Sequence, residues 1–222
     1  MEWLVGAWAI FRKDVRTELR SRYAVNTLML FALGALFLVA FAVGPQPLAA
    51  RVQAALLWVV LLFAASVGLG RSFVAEREGN TILLLRLNTR GSMVFAGKLL
   101  FNLGLLTLLA AATTGLYLLL LDVPVARPAL FAVTLVLGVL GLGGTTTLLA
   151  ALIAKTARRG PLLPILLLPL LMPLLISGVG ATRKAIVGRG WIAAQDELLT
   201  LVGFAGATLS AAFLLFDYVW TE

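Results

Sequence analysis

Apolar positions in this chain fall in long unbroken runs, and polar positions gather between the runs instead of alternating with them. Crossing a hydrocarbon layer of about 30 Å takes roughly 20 residues of helix. Six runs meet that length: Tyr23–Val43, Val52–Gly70, Leu99–Leu121, Pro128–Ala154, Pro161–Ala181 and Leu198–Val219. Each is bounded by charge, Pro or Gly, and none has Lys or Arg inside. Lipid offers no hydrogen bonds to exposed backbone, so each run predicts a helix. The expected fold is all-α: a polytopic membrane protein with six transmembrane helices and an N-terminal amphipathic interfacial helix. The first run is expected to remain as a transmembrane helix, being longer than the apolar core of a cleavable signal.

Residues 1–22, MEWLVGAWAIFRKDVRTELRSR, change pattern. Leu4, Trp8, Phe11, Val15 and Leu19 recur at spacings of three and four, which marks one apolar helix face. Arg12, Lys13, Arg16 and Arg20 mark another, suited to anionic headgroups. The segment reads as an orientation anchor, as an elbow helix bracing the bundle, or as both. It is taken as a unit of its own, with 23–222 as the six-helix domain.

The longest polar interruption is 71–98, RSFVAEREGNTILLLRLNTRGSMVFAGK. Glu76, Arg77 and Glu78 precede Gly79-Asn80, and a short apolar helix is expected over Thr81–Leu87, stopped by Asn88 and Gly91. Such a helix suits docking into a groove on a soluble partner; the plainer reading is a solvated connector with an interfacial helix. The fifth run carries Pro161, Pro164, Pro169 and Pro173. An interior proline removes a helix hydrogen bond and strains the turn before it. The run is either a bent packing helix or an element whose bend changes in a working cycle. Small residues at four-residue spacing, Gly143, Thr147 and Ala151 in the fourth run and Gly203, Ala207 and Ala211 in the sixth, predict close helix approach. Asn102, Thr113 and Thr114 read as interhelical hydrogen-bonding groups.

Composition sharpens this. Of 222 residues, 61% are hydrophobic and 13% charged, where soluble domains run near 45–50% and about 25%. An ordinary soluble enzyme, a disordered chain and a disulfide scaffold are excluded. The net charge of +8 splits unevenly between the two sides of the membrane. Thirteen Lys+Arg fall on the side of the N-terminus and five on the other, so both termini are expected in the cytoplasm. Read this way, the positive charge sets orientation, and no nucleic-acid partner is expected. The 71–98 segment has no counterpart after the fifth run, which gives an inverted-repeat transporter no support.

Candidate chemistry is sparse. With no His and no Cys, the chain lacks the usual general base, thiol nucleophile and good axial ligands for heme iron. GLGGTTT at 141–147 is glycine-rich but lies in a span and lacks a phosphate-loop lysine. No carboxylate lies deep in a span, so a proton relay is not expected. No catalytic or metal site is expected in this chain.

Four strings in order, FRKDVRTELRSR, GPQP, RSFVAEREGNTILLLRLNTRGSMVFAGK and RRGPLLPILLLPLLMPLLISG, resemble the heme exporter protein B family of the bacterial cytochrome c maturation system. Members of that family are membrane subunits of an ATP-binding-cassette exporter, with ABC-2-type permease architecture. The resemblance implies a bacterial inner-membrane permease subunit with no catalysis of its own. Its implied partners are a cytoplasmic ATPase that binds ATP and Mg, a heme-handling membrane subunit, a small membrane subunit and a periplasmic heme chaperone. Two copies per complex are implied, with heme handled by the complex and not bound by this chain. By the same resemblance Glu76, Arg77, Glu78, Thr81, Leu84 and Leu87 would couple the bundle to the ATPase. An exporter permease for a lipid or drug and a structural scaffold are the competing readings.

Overall fold

The computed structural model describes residues 2–44, 47–69, 91–154 and 162–221. Among them the regular elements are helices: α1 Glu2–Ser21, α2 Tyr23–Val43, α3 Ala50–Leu69, α4 Gly91–Leu120, α5 Pro128–Ala154, α6 Leu162–Ile186 and α7 Gln195–Thr221, with a 3₁₀ turn at Ile192–Ala194. Five of them (α2, α4, α5, α6 and the Ile192–Phe216 stretch) are long and apolar enough to cross a membrane. α3 is a 20-residue helix that is predominantly apolar to its last residue, Leu69. Over the described residues, each of the six expected runs coincides with a helix.

α5 is the centre of the bundle and packs on α3, α4, α6 and α7. Its glycine-rich stretch explains why so many helices approach it. A Cβ on Gly141 would fall 2.3 Å from Leu174 of α6, on Gly143 2.5 Å from Leu103 of α4, and on Gly144 3.0 Å from Leu209 of α7. The 141–147 string is therefore a packing junction for three neighbours, which is what small residues do where lipid gives helices no hydrophobic drive to associate. Thr147 extends the junction by accepting from Asn102 Nδ2 at 3.0 Å, the interhelical bond expected of Asn102. Thr113 and Thr114 are buried too, but their hydroxyls have no hydrogen-bond partner among the described residues.

The second small-residue line behaves differently. Gly203 and Ala207 face out of the bundle, and nothing lies within 4 Å of a Cβ built on Gly203. The face that α7 buries runs instead through Leu201, Ala205, Ala212 and Phe216.

Two boundaries differ from expectation. α4 begins at Gly91, eight residues before Leu99, so Gly91 starts a helix where a stop was expected. The reason is tertiary: Val94, Phe95, Ala96, Gly97 and Lys98 are buried under α1 and α7, with the Phe95 ring 5.1 Å from Phe213 and 5.0 Å from Phe216. α6 runs on past Ala181 to Ile186.

Candidate functional site

α1 and α2 are joined through Arg22 alone, whose φ of 52° puts a non-glycine residue in the left-handed region. Glu18 Oε1 accepts the Val25 N–H at 2.8 Å, a carboxylate capping the positive end of α2. Together these fix the elbow.

From there α1 folds back onto the first turns of α4. Two glycines permit the approach. A Cβ on Gly97 would lie 2.7 Å from both the Ala7 carbonyl oxygen and Ile10 Cβ, and one on Gly6 would lie 2.8 Å from Met93 Sδ. Trp3 Nε1 donates to Ser92 Oγ at 3.1 Å. Beyond them along both helices, Lys98 Nζ sits 3.2 Å from Asp14 Oδ2, with side chains only 2% and 10% exposed. Asp14 Oδ1 is 3.2 Å from the half-exposed Lys13. One turn further along α4, Asn102 continues the polar seam to Thr147 of α5.

α1 thus has three faces. Ala7, Ile10 and Asp14 turn toward α4; Leu4, Trp8 and Leu19 are exposed apolar residues; Arg12, Arg16 and Arg20 are exposed cations. Phe11 and Val15 are half-buried between the first two. The expected apolar stripe is present, and it is not the stripe that packs on the bundle.

The opposite end of the bundle is tied by a second set of side-chain and backbone bonds. Lys184 Nζ donates to the Ala193 carbonyl at 2.6 Å and pairs with Glu197. The connection before α5 is bound to the end of α6 by Arg127 N–H to Ala185 O at 3.0 Å, and Arg127 Nε donates to Gly188 O at 3.3 Å. Below it, Trp58 of α3 donates through Nε1 to Thr182 Oγ1 at 3.0 Å. Its ring fills the space left by Gly138 and Gly178, where a Cβ would come within 2.7 Å of the indole.

Of the residues singled out from sequence, Glu76, Arg77, Glu78, Thr81, Leu84, Leu87 and Pro161 lie outside the described residues. Pro164 falls in the first turn of α6, and Pro169 and Pro173 lie inside that helix with their rings exposed. Met172 on the same helix is exposed. Of the 71–98 segment, 91–98 are helical and form the start of α4, and the remainder lies outside the described residues. Asp14, Glu18 and the inward role of Lys98 were missed. The signal for Lys98 was its four-residue spacing from Asn102, which puts both on one face of a helix.

The profile of the CcmB protein family matches residues 5–215. Heme exporter protein B of Bradyrhizobium diazoefficiens is 35% identical over 185 residues, covering 81% of this chain and 82% of the relative. Heme exporter protein B of Rhodobacter capsulatus is 33% identical over 207 residues, covering 91% and 92%. That of Paracoccus denitrificans is 29% identical over 210 residues, covering 93% of each.

Proposed function

Because the chain belongs to the CcmB protein family, and is a multi-pass membrane permease subunit of heme export, we propose that it couples ATP hydrolysis by a separate cytoplasmic ATPase subunit to heme handling in cytochrome c maturation. In this reading the chain is non-enzymatic and lies in the bacterial inner membrane with both termini cytoplasmic. Two copies join the ATPase, a heme-handling membrane subunit and a small membrane subunit. The work ends in release of a heme-loaded periplasmic chaperone. The observation that carries it is the likeness to heme exporter protein B, which spans nearly the whole chain, α1 included.

The geometry supports a mechanical role. A chain without His or Cys offers heme no good axial ligand, so heme stays with other members of the complex. In this reading the coupling residues Glu76–Leu87 end four positions before α4 in the chain, and the first turns of α4 are seated against α1. At the other end of the bundle, short bonded connections hold neighbouring helices together. α6 is a continuous helix that carries Pro169 and Pro173 inside it, each without a backbone N–H to donate, and is the element suited to changing its bend.

Purification of the tagged chain from its native membranes in mild detergent tests the reading. An ATPase together with a heme-binding membrane protein is the expected catch. An ATPase without the heme partner would favour a permease for another substrate, and neither would favour a scaffold. In the recovered complex, Glu76→Ala with Glu78→Ala is expected to lower ATP-driven chaperone release about fivefold or more, the lower end of couplings between sites. Insertion and yield should be unchanged; unimpaired release in that variant would remove the assigned docking role.

A further inference from the structure

An interfacial helix needs only two faces, one for acyl chains and one for headgroups. α1 has a third, and that face holds a carboxylate against a lysine almost wholly withdrawn from solvent. A lysine is rarely buried without a counter-charge, and a pair such as this is strongly disrupted when one partner is removed. The partners lie 84 residues apart in sequence and on different helices. Their pairing specifies a tertiary position, which no local propensity of either helix would do.

We propose that Asp14 and Lys98 are a positioning pair: their buried ion pair fixes α1 to the start of α4, so that the two move as one body when the segment preceding α4 is displaced. The proposal rests on the coupling reading above for the source of the displacement, and on geometry alone for the pair. On its N-terminal side along both helices, Gly97 lets the Ala7 carbonyl and Ile10 come close, and Gly6 takes the Met93 side chain, so the pair closes a seam that already sets the register. The Glu18 cap at the elbow sets the angle at which α1 returns. Asn102 and Thr147 then hand the position of α4 to α5, the centre of the bundle. Meanwhile Leu4, Trp8 and Leu19 keep α1 in the lipid surface. A displacement of α4 is thereby transmitted to the membrane-facing helix.

The chain has no cysteine, so Leu19→Cys and Leu100→Cys, both at exposed positions, provide unique thiols for paired spin labels. Distances are measured in native membranes, with the complex assembled, without nucleotide and with ATP trapped. One narrow distance in both states is expected. Asp14→Asn is expected to broaden it, and the exchange Asp14→Lys with Lys98→Asp to narrow it again. The apolar double variant Asp14→Leu with Lys98→Met removes the buried charges together and so guards against simple unfolding. It is expected to insert normally, show a broadened distance and lose chaperone release by about fivefold or more. A narrow distance in Asp14→Asn, a wild-type distance that changes with ATP, or full release by the apolar double variant would each overturn the proposal. The distance without nucleotide needs no ATPase, so failure of the coupling reading would leave this test of the pair standing.

Discussion

Each end of the bundle holds a lysine–carboxylate pair, and the two differ in burial and in the sequence separation of their partners. Lys184 and Glu197 are 18% and 21% exposed and lie on neighbouring segments, 13 residues apart. Lys98 and Asp14 are far more buried, and they join helices at opposite ends of the first hundred residues. Water can replace a lost partner at the first pair. At the second it cannot, so the same chemistry serves as a local staple at one end and as a tertiary lock at the other.

Removing the carboxylate from each pair gives the largest contrast. Asp14→Asn leaves the Lys98 charge enclosed without its aspartate and is expected to lower stability by about 3–5 kcal/mol. Glu197→Gln is expected to lower it by about 0–1 kcal/mol, because Lys184 keeps Ala193 and gains water. Reversible unfolding in mild detergent measures both. Equal losses would show that the two pairs are not different in kind.

Packing around the pairs provides the next contrast. Gly97→Val would drive a side chain into the Ala7 carbonyl and Ile10, separating α1 from α4 at a cost of about 1–3 kcal/mol. Gly203→Val, on the outward face of α7, meets nothing within 4 Å and should stay within about 0.5 kcal/mol in the isolated chain. At the other end Trp58→Phe loses the bond to Thr182 and leaves part of the space at Gly138 and Gly178 unfilled, for about 1–3 kcal/mol. Its effect should be read in the melt and not in the α1–α4 label distance. A change in that distance would mean the two ends are not separable.

What could be read from the chain divides along the same line. The six runs were visible because lipid demands length and apolarity, and both are local properties. Asn102 was visible as a hydrogen-bonding group because an amide in a span needs a partner, though Thr147 was not named as that partner. The true start of α4 was hidden: GSMVFAGK looks like a stop followed by polar punctuation, and it is helical because α1 and α7 cover it. Lys98 was counted among the orientation charges for the same reason, since nothing local separates a cation facing headgroups from one facing a carboxylate 84 residues away. The apolar stripe of α1 was found, and the packed stripe was missed, because Ala7, Gly6 and Gly97 signal contact by being small. Trp58 shows the same blindness, with its space made by glycines on two other helices.

The elbow supplies the smallest and most selective test. Glu18→Gln retains an oxygen able to accept the Val25 N–H but removes the negative charge from the N-terminus of α2. Charge at that position contributes about 0.3–1 kcal/mol and is weakened by salt. A loss of that size that fades as salt rises is expected. The α1–α4 label distance should stay narrow, because Asp14 and Lys98 hold α1 even when its junction with α2 is loosened. If Glu18→Gln broadened that distance as much as Asp14→Asn, the elbow would be setting the position of α1. The contrast between a buried lock and its exposed surroundings would then have to be redrawn around Arg22 and its left-handed turn.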